Sequence, residues 1–105
     1  MFTHSEGSGE LTSSTVAIRG LVFITAVHAI ADGTNKATIN VYNSNEVTTD
    51  VSRKVGEYVV DAGYSYNGRL WTYPRKCDLG IYVSISGVGA SAIVEYIKKI
   101  NERSS

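Results

Sequence analysis

The chain is short of almost everything that chemistry or stapling requires. Of 105 residues one is cysteine, Cys77, so no intramolecular disulfide can form. No Cys or His stands near Cys77 at metal-ligand spacing, and a small buried side chain is its plainest reading. Only two histidines occur, His4 and His28, and neither has a partner at ligand spacing. There is no Gly-x-Ser-x-Gly elbow, no Asp-x-Asp calcium pattern and no phosphate loop, because Gly87-Val88-Gly89 lacks the following glycine, lysine and helix. The chain is therefore expected not to be an enzyme and to need no cofactor or metal. Charge of one sign is also missing. Ten basic residues balance ten acidic ones, so nothing draws the chain to nucleic acid or to an anionic membrane. The basic pairs Arg53-Lys54, Arg75-Lys76 and Lys98-Lys99 read as solvated edges. A neutral chain is poorly protected against self-association, which suits a protein whose normal state is assembled. No basic stretch leads into an apolar run at the N-terminus, so no signal peptide is legible. The longest apolar stretch, Leu21 to Ala31, is interrupted by Thr25 and His28 and is too short to span a bilayer.

What is present is β-strand patterning. Apolar residues make up 43 %, enough for one modest core at this length. Met1 to Ser14 is polar apart from Phe2 and Leu11 and reads as an extended N-terminal arm, held in place by a neighbouring chain. Thr15 to Ile30 is the longest run. Val16, Ile18, Gly20, Val22, Ile24 and Ala26 fall on one face by period-two alternation. Leu21, Phe23 and Val27 fall on the other, where a solvated sheet would be polar. Either the run is covered on both sides, or it bends near Gly20 so that its halves serve different faces.

After the turn cluster 31–36, Ala37 to Asn43 alternates cleanly, with Ala37, Ile39 and Val41 inward. Val47 to Val55 reads as a weak edge strand, followed by Tyr58-Val59-Val60. Residues 62–68 read as a loop rich in Tyr and Gly, and Arg69 to Tyr73 as a short strand stopped by Pro74. Leu79 to Ser86 is a strong strand with Leu79, Ile81, Val83 and Ile85 inward. Gly87-Val88-Gly89 turns the chain into Ser91 to Lys99, with Ala92, Val94 and Tyr96 inward. A helix over Ala90 to Glu102 competes, since Ile93, Ile97 and Ile100 fit its spacing. The β-branched core and the glycine turn before it favour a strand. The expected architecture is all-β: an antiparallel β-sandwich, jelly-roll-like, of about seven to eight strands. The arm spans 1–14, the sandwich 15–100, and a polar tail 101–105.

Aromatic residues carry the strongest functional signal. Tyr64, Tyr66, Trp71 and Tyr73 lie close together in sequence, with Asn67, Arg69 and Arg75 among them. Tyr, Trp and Arg dominate interface hot spots, and the same rings stack on sugars. Core filling by Trp71, with tyrosines at its rim, is the alternative. The candidate interface residues are Phe2, His4 and Leu11 in the arm, and Leu21, Phe23, Val27, Tyr64, Tyr66, Arg69, Trp71, Tyr73 and Arg75 in the domain.

The order of three segments adds a resemblance. Val16-Ala17-Ile18-Arg19-Gly20-Leu21-Val22-Phe23 comes first, then Lys36-Ala37-Thr38-Ile39-Asn40-Val41-Tyr42-Asn43. Leu79-Gly80-Ile81-Tyr82-Val83-Ser84-Ile85-Ser86-Gly87 then precedes Ile93-Val94-Glu95-Tyr96. This order resembles the small virion structural proteins of tailed bacteriophages, namely β-sandwich head-decoration (cement) proteins and related fibre or adaptor modules. The likeness covers about Val16 to Tyr96, and Glu46 to Lys76 matches in strand rhythm alone. It implies a subunit made in the host cytoplasm and placed on the outer capsid surface of the virion. Its partner would be the major capsid protein or another virion structural protein. The resemblance further implies a homo-oligomer, with a trimer favoured because cement proteins commonly occupy three-fold or quasi-three-fold positions and bridge capsomers. The arm could then act as a tether, reaching about 45–50 Å when extended. The alternative is a carbohydrate- or receptor-binding module of a fibre, spike or tail adaptor.

Overall fold

The computed structural model describes residues 6–69 and 74–98. They form nine strands and one short 3-10 turn, arranged as two antiparallel sheets packed face to face. The strands are β1 (Glu6–Gly7), β2 (Thr15–Arg19), β3 (Val22–Ile30), β4 (Ala37–Asn43), β5 (Lys54–Val60), β6 (Ser65–Arg69), β7 (Arg75–Cys77), β8 (Gly80–Ser86) and β9 (Ser91–Ile97). One sheet runs β1-β9-β3-β6, with β7 in line with β6 along β3; the other runs β2-β8-β4-β5. The expected β-sandwich is what forms. Ser91–Ile97 is a strand, as its β-branched composition favours over the competing helix.

Period-two alternation accounts for the core. Ala37, Ile39 and Val41 of β4, Ile81 and Val83 of β8, and Ala92 and Val94 of β9 are all fully buried. Each large aliphatic side chain removed from water contributes roughly 1.5–3 kcal/mol, which is why this pattern sets the register of both sheets. The long run 15–30 bends at Gly20 and Leu21, so β2 and β3 belong to different sheets. Val27 departs from the expected face. The register of β3 against β9 shifts between Ile24 and Ala26, a bulge that adds one residue and reverses the alternation. Val27 and Ala29 therefore point inward, and Val27 belongs to the core.

The arm also differs from expectation. From Glu6 onward it is held by its own domain. Glu6 and Gly7 pair with Tyr96 and Glu95, and Leu11 bridges Ala92 with reciprocal backbone bonds of 2.8 and 2.9 Å. The Ser8 hydroxyl accepts from the Val94 amide at 3.0 Å, and the Ser14 hydroxyl accepts from Ile85 at 2.9 Å. The chain thus crosses from β9 to β8 and closes that side of the sandwich, with Leu11 resting on the core. The opposite side is closed by side chains. Tyr66 of β6 stacks on Tyr58 of β5 across the gap between the sheets, ring centroids 5.3 Å apart.

The middle of the chain corrects two further expectations. Val47 to Val55 is not a strand: Asp50 accepts from the Ser52 amide at 3.0 Å and caps the 3-10 turn Val51–Arg53, so β5 starts only at Lys54. The Tyr- and Gly-rich stretch is largely strand, since Ser65–Arg69 pairs with Ala26–Ile30.

Candidate interaction surface

The exposed large apolar residues divide between the two ends of the sandwich. At one end the 20–21 turn and the 78–79 turn abut, with the Gly20 amide donating to the Leu79 carbonyl at 2.9 Å. Leu21 and Leu79 are both exposed there, Leu21 at 46 %. The 44–53 loop leaves this end and returns to it. The Asn43 side chain accepts from the Leu79 amide at 3.0 Å, and the Ser44 amide donates to the Gly80 carbonyl. That loop presents Val47 and Val51, each 73 % exposed. Gly80 seals the junction. Its φ is +135°, and a Cβ there would run into the Ile18 carbonyl. Ser44 is fully buried, with its hydroxyl donating to the Glu46 carbonyl at 2.7 Å, so the loop base is fixed although its valines are exposed.

At the other end three loops meet around Asp32. Its carboxylate accepts from the Thr34 and Asn35 amides at 2.9 and 2.6 Å, and its carbonyl accepts from the Gly63 amide. Those two backbone bonds lead the causes that hold its carboxyl below the ordinary value. Gly89, with φ +75°, packs directly against the Asp32 side chain. The Ala31 amide donates to the Tyr64 carbonyl at 3.1 Å, so the 61–64 loop is tied to the end of β3. Tyr64 projects from that loop at 69 % exposure, beside Tyr66 and Val59. Val59, Val60, Asp61, Tyr64, Ser65 and Tyr66 line an open cleft of about 350 Å³. Gly56 leaves the space across which the Tyr58 ring lies, since a Cβ there would come within 2.8 Å of its hydroxyl. Burial, and then the nearby Tyr66, raises the Tyr58 phenol above its ordinary value.

Among the described members of the expected cluster, the tyrosines stay together and Arg75 lies apart. Tyr64 and Tyr66 lie at the Asp32 end, near Ile30 and Ala29. Arg75 pairs with Ile24, about 15 Å away along β3 at strand rise. Arg69 ends β6 opposite Ala26. Phe23 is half-buried between Lys76 and Ile97 on the neighbouring strands. Phe2, His4, Trp71 and Tyr73 lie outside the described residues. Sequence reasoning passed over Tyr58, Asp61, Val47 and Val51; exposed valines in a turn-rich loop were the legible signal for the last two.

No catalytic geometry stands out among these groups. His28 faces Glu95 at 2.9 Å in the middle of a sheet, away from the cleft. Cys77 is fully buried, and desolvation pushes its thiol up to about 11. Among the described residues no group of three or more His, Cys, Asp or Glu converges as a metal site. Comparison with protein-family models, curated proteins and solved structures finds no match.

Proposed function

We propose that the chain is a non-catalytic virion structural protein of a tailed bacteriophage, a decoration subunit that binds the major capsid protein from outside the head. The observation that carries this reading is the aliphatic end. Leu21, Val47, Val51 and Leu79 are exposed together on turns whose backbones are fixed by hydrogen bonds. Exposed aliphatic area rimmed by the charged side chains of Asp50, Arg53 and Asp78 has the anatomy of a protein contact. The strand order over Val16 to Tyr96, which resembles that of cement proteins, points to a capsid lattice as the partner. A bound subunit then stabilises the shell by mass action, because it binds the assembled state preferentially. Repetition of the contact in a homo-oligomer, with a trimer favoured, would multiply it by avidity. The arm from Glu6 to Leu11 pairs with its own domain, so these residues are not the free tether, and residues 1–5 lie outside the described residues.

The test is cosedimentation of the purified chain with undecorated heads of the phage that encodes it. Saturable binding is expected for the wild type, and loss of binding for the Leu21→Glu/Leu79→Glu double variant with its fold intact. Failure of the wild type to bind heads contradicts the proposal.

A further inference from the structure

The cleft at the Asp32 end has a different chemistry from the aliphatic end, and we infer that it is a binding site for an uncharged saccharide. This inference goes beyond the capsid role and does not depend on it. The cleft, about 350 Å³, lies at the small end of ligand-site sizes, which run from roughly 300 to 1000 Å³. It suits a sugar unit better than a large cofactor. Tyr64 and Tyr66 supply exposed aromatic rings, at 69 % and 48 %, on which the C–H face of a pyranose can lie. Asp61 supplies a carboxylate that makes no side-chain hydrogen bond or ion pair among the described residues, although it lines the cleft. A carboxylate accepts strongly from hydroxyl donors, and adjacent sugar hydroxyls offer two at once. The Ser65 hydroxyl likewise has no partner among the described residues and can donate or accept.

The frame around these groups is already built. Ala31 to Tyr64 and Gly63 to Asp32 backbone bonds fix the loop, and Tyr58 braces Tyr66 from behind. Little ordering is then left to be done on binding, which favours affinity. Among the described residues no Lys or Arg lines the cleft, and the one charge there is negative. Phosphates, uronic acids and sialic acids are therefore disfavoured, and neutral hexoses or N-acetylhexosamines are the class that fits. Val59, itself exposed, adds apolar area to the cleft lining.

The experiment screens the full chain against an array of neutral and acidic glycans. Each hit is followed by amide chemical-shift titration with the corresponding methyl glycoside. The expected result is saturable shifts confined to residues 59–66 for at least one neutral glycoside and none for methyl glucuronide. Tyr64→Ala should weaken binding by about tenfold or more, while Tyr64→Phe should retain most of it. Asp61→Asn should weaken it as well. Tyr64 lies on an exposed loop whose hydrogen bonds are made by backbone, so its replacement leaves the fold in place. Absence of any neutral-glycan binding overturns the inference. So does preference for the acidic glycan, or binding unchanged in Tyr64→Ala. Head binding is a separate readout, so this inference and the capsid role can fail independently.

Discussion

The two ends of the sandwich are built from the same strands and differ in what their loops expose. The end at Leu21 and Leu79 shows exposed leucine and valine on turns that also carry the charged side chains of Asp50, Arg53 and Asp78. The end at Asp32 shows tyrosine, with Val59 and Val88, beside the Asp61 carboxylate and the Ser65 hydroxyl. At each end a glycine permits a close approach, Gly80 to the Ile18 backbone and Gly89 to the Asp32 side chain. The difference teaches that exposed apolar area is not one kind of signal. Aliphatic area rimmed by charged groups favours burial against another protein. Aromatic area edged by polar groups favours a ligand that is itself half polar. A decoration subunit with one face for the shell and another for the surroundings fits this division.

Breaking the body common to both ends should have the largest effect. Ile39 is fully buried between the sheets, on β4 opposite Tyr58 and Ile85. Ile39→Ala should cost about 2–5 kcal/mol in urea denaturation, lowering the midpoint without changing the slope. A change confined to one end should do less. Gly89→Ala places a side chain against Asp32 in a left-handed conformation and should cost roughly 1–3 kcal/mol. It should disturb the amides of 31–36 and 61–66 and leave those around Leu21 and Leu79 unshifted.

Acid should act at both ends: on the 50–53 turn, where hydrogen bonds from Ser52 hold the Asp50 carboxyl below its ordinary value, and on Asp32. Its folded-state value is depressed, so the stability linked to it is present above the ordinary value of 3.8 and is lost as pH falls through the lower folded value. Asp32→Ala should flatten the acid limb of the stability curve below pH 3.8. The smallest effect is expected at Cys77. Burial and a thiol pushed up to about 11 should keep it unreactive to iodoacetamide at pH 8 in the native chain. Labelling should appear only with denaturant, at the unfolding transition.

Much of the fold is legible in the sequence, because strict alternation leaves one way to bury Ala37, Ile39 and Val41, or Ala92, Val94 and Tyr96. The bend at Gly20 is legible for the same reason, since a run apolar on both faces has to serve two sheets. The bulge near Thr25 was not legible, because one inserted residue leaves composition unchanged while reversing every later position, Val27 included. The arm was misjudged because Ser8, Leu11 and Ser14 hold it through backbone and hydroxyl bonds to β8 and β9, which hydropathy does not register. The exposure of Leu21, Tyr64 and Tyr66 was legible from pattern and residue type. Their assignment to opposite ends was not, since it depends on the register of β6 and β7 along β3.

The orientation of the chain on its particle tests the central claim most directly. An electron cryomicroscopy map of decorated heads should place the subunit on the outer surface, with Leu21, Val47 and Leu79 against the capsid and Tyr64 facing outward. A map with the tyrosine end buried against the shell, or with no density for this chain on the head, would contradict it.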